Sequence, residues 1–267
     1  MLKQRVLTAL VLVAVLLIAL TNGNPIYWQG FVSLVVFLGF YEWLGFCGIE
    51  AVGAKTMMML AFVVLLCILY LGLAPMNLVI IALCFLWGLL FTFTLGKNLE
   101  VLHRKWIKVL IGALILAGSG WLIIEFKNIA NGAWWILCFL VSVWAADIGA
   151  YFVGKRFGKT KLAPSISPGK TIEGLFGGLL LVVLVLTPVL FSLFSGYVAA
   201  LLLLSVILTA LASVIGDLFE SKMKRHVGLK DSSQILPGHG GILDRIDSLL
   251  SGAPFFSAGL LVLGYLS

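Results

Sequence analysis

The segment LPGHGGILDRID, residues 236–247, places Gly238, Gly240 and Gly241 around His239 and then Asp244, Arg245 and Asp247. Glycines let a backbone approach a ligand closely, and their exposed N–H groups suit phosphate. Asp244 and Asp247 stand one turn apart and share a helix face. A carboxylate beside a phosphate site calls for a cation between the two negative groups, and Mg²⁺ held by one or two carboxylates plus phosphates is the common arrangement. Favourable placement at a helix N-terminus explains one aspartate on its own. It leaves the glycines and the neighbouring basic residues unexplained. His239 fits a hydrogen-bond donor, a structural residue or a base.

Just upstream, GDLFESKMKRHVGLKDSS supplies Asp217, Ser221, Lys224, Arg225, Lys230 and Asp231. If the helix that ends here continues past the membrane surface, Asp217, Ser221 and Lys224 share one face. Lys224 and Arg225 fall in polar sequence and suit phosphate, so alanine at either is expected to weaken ligand use and leave the protein folded. Asp231 reads equally well as a solvated loop carboxylate.

A second polar block, DIGAYFVGKRFGKTKLAPSISPGKTIEG, spans residues 147–174 and holds Asp147, Ser167, Lys170, Thr171 and Glu173. Its GKT is not a P-loop. The first glycine of GxxxxGKT would fall at Pro164, and no strand precedes it. Lys170 and Thr171 stand where a helix begins, so backbone N–H groups and a lysine together suit an anion. A basic loop facing anionic lipid headgroups is the plainer alternative. Asp147 and Asp217 lie near the ends of apolar stretches, where an ionisable side chain marks a functional site or a paired charge.

The elements that position these residues are membrane helices. Apolar residues make up 62% of the chain and charged residues 11%, against about 25% charged in a soluble domain. The mean hydropathy is +1.16. Long apolar runs predict an all-α integral membrane protein, a polytopic bundle of about nine transmembrane helices. The runs cover 6–20, 26–46, 56–73, 76–95, 106–124, 132–153, 172–194, 198–219 and a last stretch from about residue 242. The start resembles a signal peptide without a convincing cleavage site, and reads as an uncleaved first helix. Cys47, Cys67, Cys84 and Cys138 form no CxxC pair and read as small hydrophobes.

With the N-terminus placed in the cytoplasm and the spans alternating, all but Lys127 of the 18 basic residues fall on the cytoplasmic side. That asymmetry follows the positive-inside rule. It puts both polar blocks in the cytoplasm and the C-terminus outside. The net charge of +7 is thereby a matter of topology, with no call for a nucleic-acid partner. Residues 1–131 are expected to form a supporting half. Residues 132–267 carry the catalytic loops.

SKMKRHVGLKD followed by LPGHGGILDRID resembles the signature of the bacterial phosphatidate cytidylyltransferases, or CDP-diacylglycerol synthases. It runs through Ser221, Lys224, Arg225, Lys230, Asp231, Pro237, Gly238, His239, Gly240, Gly241, Asp244, Arg245 and Asp247. Residues 147–174 are similar to the family's other polar block, with one departure at Gly169, where a larger polar residue is expected. The resemblance implies that CTP and phosphatidate give CDP-diacylglycerol and pyrophosphate with Mg²⁺, at the cytoplasmic face of the inner membrane. It also implies that Asp217 and Asp244 hold the metal and that the enzyme is a homodimer. In-line attack by a phosphatidate oxygen on the α-phosphorus then needs little base catalysis, because a phosphate monoester with a second pKa near about 6 is already largely ionised. Sites of this kind often use two cations. Lys170, Lys224, Arg225 and Arg245 are the candidates for the phosphates, with Asp147, Glu173, Asp231 and Asp247 in support. Two other readings stay open. One is a CTP-dependent kinase or cytidylyltransferase acting on a polyprenyl or archaeal lipid. The other is a transporter of an anionic solute, which should show repeated halves and broken helices at mid-membrane.

Overall fold

The computed structural model describes residues 2–96, 104–238 and 240–266. Lys97, His103, His239 and the side chains of Lys3 and Arg5 lie outside the described residues. The described chain runs α1 (Leu2–Thr21), α2 (Pro25–Phe46), α3 (Val52–Tyr70), α4 (Met76–Leu95), α5 (Lys105–Asn128), α6 (Gly132–Phe157), β1 (Lys161–Ala163), β2 (Ser167–Thr171), α7 (Ile172–Leu193), α8 (Gly196–His226) and α9 (Leu243–Val262). Seven of these helices, α2 to α8, are long and apolar enough to cross a membrane. In lipid every backbone polar group must be satisfied within the chain, which is why the sequence spends itself on helices.

Local signals set several helix starts. Asn24 accepts from the N–H of Ile26 at 3.0 Å, with Pro25 opening α2. Thr171 caps α7 by accepting from the N–H of Gly174 at 3.1 Å. Both are the side-chain oxygen caps expected at orphan N–H groups.

Contacts between helix ends show which ends lie together. Lys108 at the start of α5 donates to the carbonyl of Phe46 at the end of α2, 3.1 Å away. Lys222 near the end of α8 donates to the carbonyls of Phe93, Thr94 and Gly96 at the end of α4, at 2.7, 3.0 and 2.7 Å. Lys127, the exception in the charge count, lies at the opposite end and donates to the carbonyl of Leu20. Trp28 at that end donates to the carbonyl of Ile123.

The core is continuous through the bundle. Phe126, Phe139 and Phe256 meet edge-on or tilted and join α5, α6 and α9. Trp43, Phe219 and Trp87 join α2, α8 and α4. α9 is enclosed by its neighbours, with Ala253, Phe256 and Leu260 fully buried. α6 and α7 cross closely through glycines. A Cβ on Gly178 would lie 2.5 Å from the carbonyl oxygen of Ala146, so only glycine permits this approach.

Two features extend the sequence reading. α8 continues to His226, past the expected end near residue 219, because Leu218, Phe219 and Met223 are buried. Residues 161–171 form a two-stranded antiparallel ribbon that pairs Lys161 with Thr171 and Ala163 with Ser167.

Candidate active site

The site is built where α6, α8 and α9 and the ribbon meet at one end of the bundle. Asp217 sits on α8, and its Oδ2 is 2.7 Å from Nζ of Lys170, at the end of β2. Ser221, one turn later on α8, donates to Asp217 Oδ1 at 3.2 Å. The extended helix therefore gives the shared face that the sequence spacing requires. Further along α8, Lys224 Nζ is 2.7 Å from Glu220 Oε2 and 2.5 Å from Asp244 Oδ1. Lys224 thus ties α8 to the first turn of α9.

Asp244 is held on its other side as well. Its Oδ2 accepts from the N–H of Ser232 at 2.9 Å, the hydroxyl of Ser232 at 3.0 Å and the N–H of Gly241 at 2.8 Å. Oδ2 faces these donors, and Oδ1 faces the Lys224 ammonium. The glycines serve this arrangement. Gly238 and Gly240 have φ of 76° and 82°, a backbone state that favours glycine. A Cβ on Gly240 would lie 2.7 Å from Asp244 Oδ2, and one on Gly241 would lie 1.8 Å from the hydroxyl of Ser232. The sequence reading assigned these backbone N–H groups to a ligand phosphate. The structure instead gives the N–H of Gly241 to Asp244, because the close approach is to a carboxylate of the chain itself.

Two open cavities meet at Asp147 and Asp217, which line both. One, of about 490 Å³, is polar and is bounded by Lys224, Asp231, Asp244, Arg245 and Asp247. The other, of about 600 Å³, holds Ser167, Lys170 and Thr171, with Tyr151, Leu162 and Leu175 as apolar walls. Arg225, Lys230 and Glu173 line neither. Arg225 donates to the carbonyl of Leu229 at 2.8 Å, and Lys230 is exposed. Glu173 accepts from the N–H groups of Lys159 and Thr160 and pins the turn after α6. Lys224 is 8% exposed, so the expectation that its truncation leaves the fold unharmed is corrected. It belongs to a buried ion-pair cluster on a helix.

The charge balance fits a divalent cation. Asp147, Asp217, Glu220, Asp231, Asp244 and Asp247 gather here against Lys170, Lys224 and Arg245, so carboxylates outnumber basic groups. Glu220 is 3% exposed, and its Oε1 is without a hydrogen-bond partner. Buried carboxylates in such excess are costly unless a cation or a proton offsets them. Among the described residues no three acidic, histidine or cysteine side chains converge on a single point. Asp217 and Asp244 line the same cavity, and two carboxylates completed by phosphate oxygens would suffice for a divalent cation.

Sequence reasoning missed Glu42 and Ser232 and gave Glu220 no role. Glu42 stands in the apolar run FYEWLGF of α2, and an ionisable side chain inside a membrane helix is itself a signal. It is 5% exposed and reaches the loop before α9.

Comparison with known proteins gives a consistent result. The family model described as "Cytidylyltransferase family" matches residues 3–263. The chain is 40% identical over 271 residues, 99% of each chain, to a protein of Pseudomonas aeruginosa named phosphatidate cytidylyltransferase. A Haemophilus influenzae protein of the same name is 38% identical over 96% of this chain and 98% of its own. One from Bacillus subtilis is 47% identical over 139 residues, 49% of each chain. With a match that runs through both polar blocks and nearly every helix, the chain belongs to the cytidylyltransferase family.

Proposed function

We propose that this protein is a phosphatidate cytidylyltransferase of the bacterial inner membrane, which joins CTP and phosphatidate into CDP-diacylglycerol and releases pyrophosphate. The observation that carries this reading is the pair of cavities meeting at Asp147 and Asp217. The acidic cavity, with Lys224 and Arg245, suits a triphosphate and its cation. The second combines Lys170 and Ser167 with apolar walls, which suits a lipid phosphate.

A phosphatidate oxygen attacks the α-phosphorus of CTP, a new P–O bond forms, and the bond to the β-phosphate breaks. Pyrophosphate carries away the electron pair. The nucleophile arrives ionised, so no side chain has to remove its proton. Catalysis rests on position and charge. Lys170 pairs with the incoming phosphate near Asp217. Lys224 and Arg245 hold the nucleotide's phosphates. Asp217 and Asp244 would hold Mg²⁺, with Asp244 oriented by the donors at its Oδ2. When bound, Mg²⁺ neutralises charge on the triphosphate and its leaving group. Lys224 is also paired with Glu220. Residues 132–267 carry this chemistry, residues 1–131 brace it, and the working unit is a homodimer.

Purified protein given labelled CTP and phosphatidate is expected to form CDP-diacylglycerol with Mg²⁺ and none with excess chelator. Turnover unchanged by the chelator would contradict the metal assignment. For sidedness, single cysteines at Lys159 and Lys230 should react with an impermeant maleimide only in inside-out vesicles. A cysteine at the C-terminus should react only from outside. Labelling of both loops from outside overturns the cytoplasmic site.

A further inference from the structure

We propose that Glu42 is a positioning residue for Asp244, acting through Ser232 and the first turn of α9 and so setting how tightly the site holds its cation. This inference rests on the metal reading above. Glu42 comes from α2, about two hundred residues away in sequence. Its Oε1 accepts from the hydroxyl of Ser233 at 2.5 Å and the N–H of Ile242 at 3.0 Å. Its Oε2 accepts from the hydroxyl of Ser232 at 2.9 Å and the N–H of Leu243 at 2.8 Å.

Ile242, the residue that opens α9, makes no side-chain cap. The orphan N–H groups of a helix start need a partner, and a negative charge there is favourable. Glu42 supplies both from another helix. It fixes where α9 begins, and hence where Asp244 stands.

Ser232 is the link between the two carboxylates. Its hydroxyl lies 2.9 Å from Glu42 Oε2 and 3.0 Å from Asp244 Oδ2. It has one proton, so it donates to one carboxylate at a time, while its backbone N–H stays on Asp244. Glu42 holds Ser232, and Ser232 holds Oδ2. That leaves Asp244 Oδ1 as the oxygen directed at Lys224 and the cavity. A Cβ on Gly241 would lie 2.6 Å from Glu42 Oε2 as well as 1.8 Å from the Ser232 hydroxyl. The second glycine of the GG pair therefore makes room for this clamp. Partners that orient a metal ligand typically change affinity by about 10–100-fold when removed.

The test uses the full-length protein in detergent, with Mn²⁺ as the probe. Mn²⁺ binding is followed by electron paramagnetic resonance without turnover, alongside the Mg²⁺ concentration for half-maximal activity and the melting temperature. Glu42→Gln is expected to weaken Mn²⁺ binding and raise the Mg²⁺ half-saturation point by at least about tenfold. Ser232→Ala is expected to shift both in the same direction by less. The double variant should be no worse than Glu42→Gln alone, since both act along one path. A residue that only stabilises the fold would lower the melting temperature and leave Mn²⁺ affinity unchanged, and that result overturns the proposal. If Glu42→Gln does not fold, Ser232→Ala decides by the same measure. If the wild type itself binds no Mn²⁺ and turns over without a divalent cation, the metal reading and this inference fall together. If the wild type binds and both variants bind equally well, only this inference falls.

Discussion

Asp244→Asn is expected to cut CDP-diacylglycerol formation at saturating Mg²⁺ by more than the roughly 100-fold that loss of an outer-shell partner costs. A neutral amide is a poor ligand for a hard cation. The geometry adds a second effect. Oδ2 accepts from the N–H groups of Ser232 and Gly241 and shares the Ser232 hydroxyl with Glu42, so the amide oxygen of asparagine is drawn to that position. Its nitrogen then faces Lys224, and both the working oxygen and its charge are lost together. The fold should survive, because Lys224 keeps Glu220 and Ser232 and Gly241 keep an oxygen acceptor. Initial rates against Mg²⁺, with melting temperature as the control, check this. Near wild-type rates with normal Mg²⁺ dependence would remove Asp244 from the metal site.

Lys224→Met is expected to have the largest effect on stability. Lys224 lies between Glu220 and Asp244, and the three side chains are 10%, 4% and 8% exposed. Removing the cation leaves two carboxylates facing each other in a poorly hydrated place. Breaking a buried ion pair from one side costs about 3–5 kcal/mol. Thermal unfolding in detergent should show a clear drop in melting temperature, and activity should be lost with it. Adding Glu220→Gln removes one uncompensated charge, so Lys224→Met/Glu220→Gln should recover part of the stability and none of the activity. An unchanged melting temperature for Lys224→Met would show that the cluster is solvated. The variant is informative because a reading of this region as surface loop predicts the opposite.

That contrast shows what the sequence reveals. Spanning helices are legible because lipid demands long apolar stretches with their hydrogen bonds satisfied internally. The contacts of Lys108, Lys222 and Lys127 match the alternation read from charge. The polar stretch DLFESKMKRH was harder to read. Its composition is that of a loop, yet Leu218, Phe219 and Met223 bury one side and keep it helical. The ribbon at residues 161–171 is too short for alternation to show. Asp217, Lys170, Lys224 and Asp244 were legible as candidates, and the structure brings them into direct or shared contact. The role of the glycines was half legible. Close approach could be inferred, but its targets, Asp244 and Glu42, could not. Glu42 meets Leu243 across 201 positions of sequence, and no local spacing carries that pairing. What was available was a lone glutamate in an apolar run, which only the cost of burying a charge brings out.

The most direct measurement follows the fate of each phosphorus of CTP. Purified protein, phosphatidate and Mg²⁺ are incubated in parallel with CTP labelled at the α-phosphorus and at the γ-phosphorus, and lipid is separated from water-soluble products. Label from the α position should appear in the lipid, and label from the γ position should appear only in pyrophosphate. A γ label recovered in the lipid, with the α label left in CDP, would identify a CTP-dependent kinase and contradict the cytidylyl transfer proposed for this site.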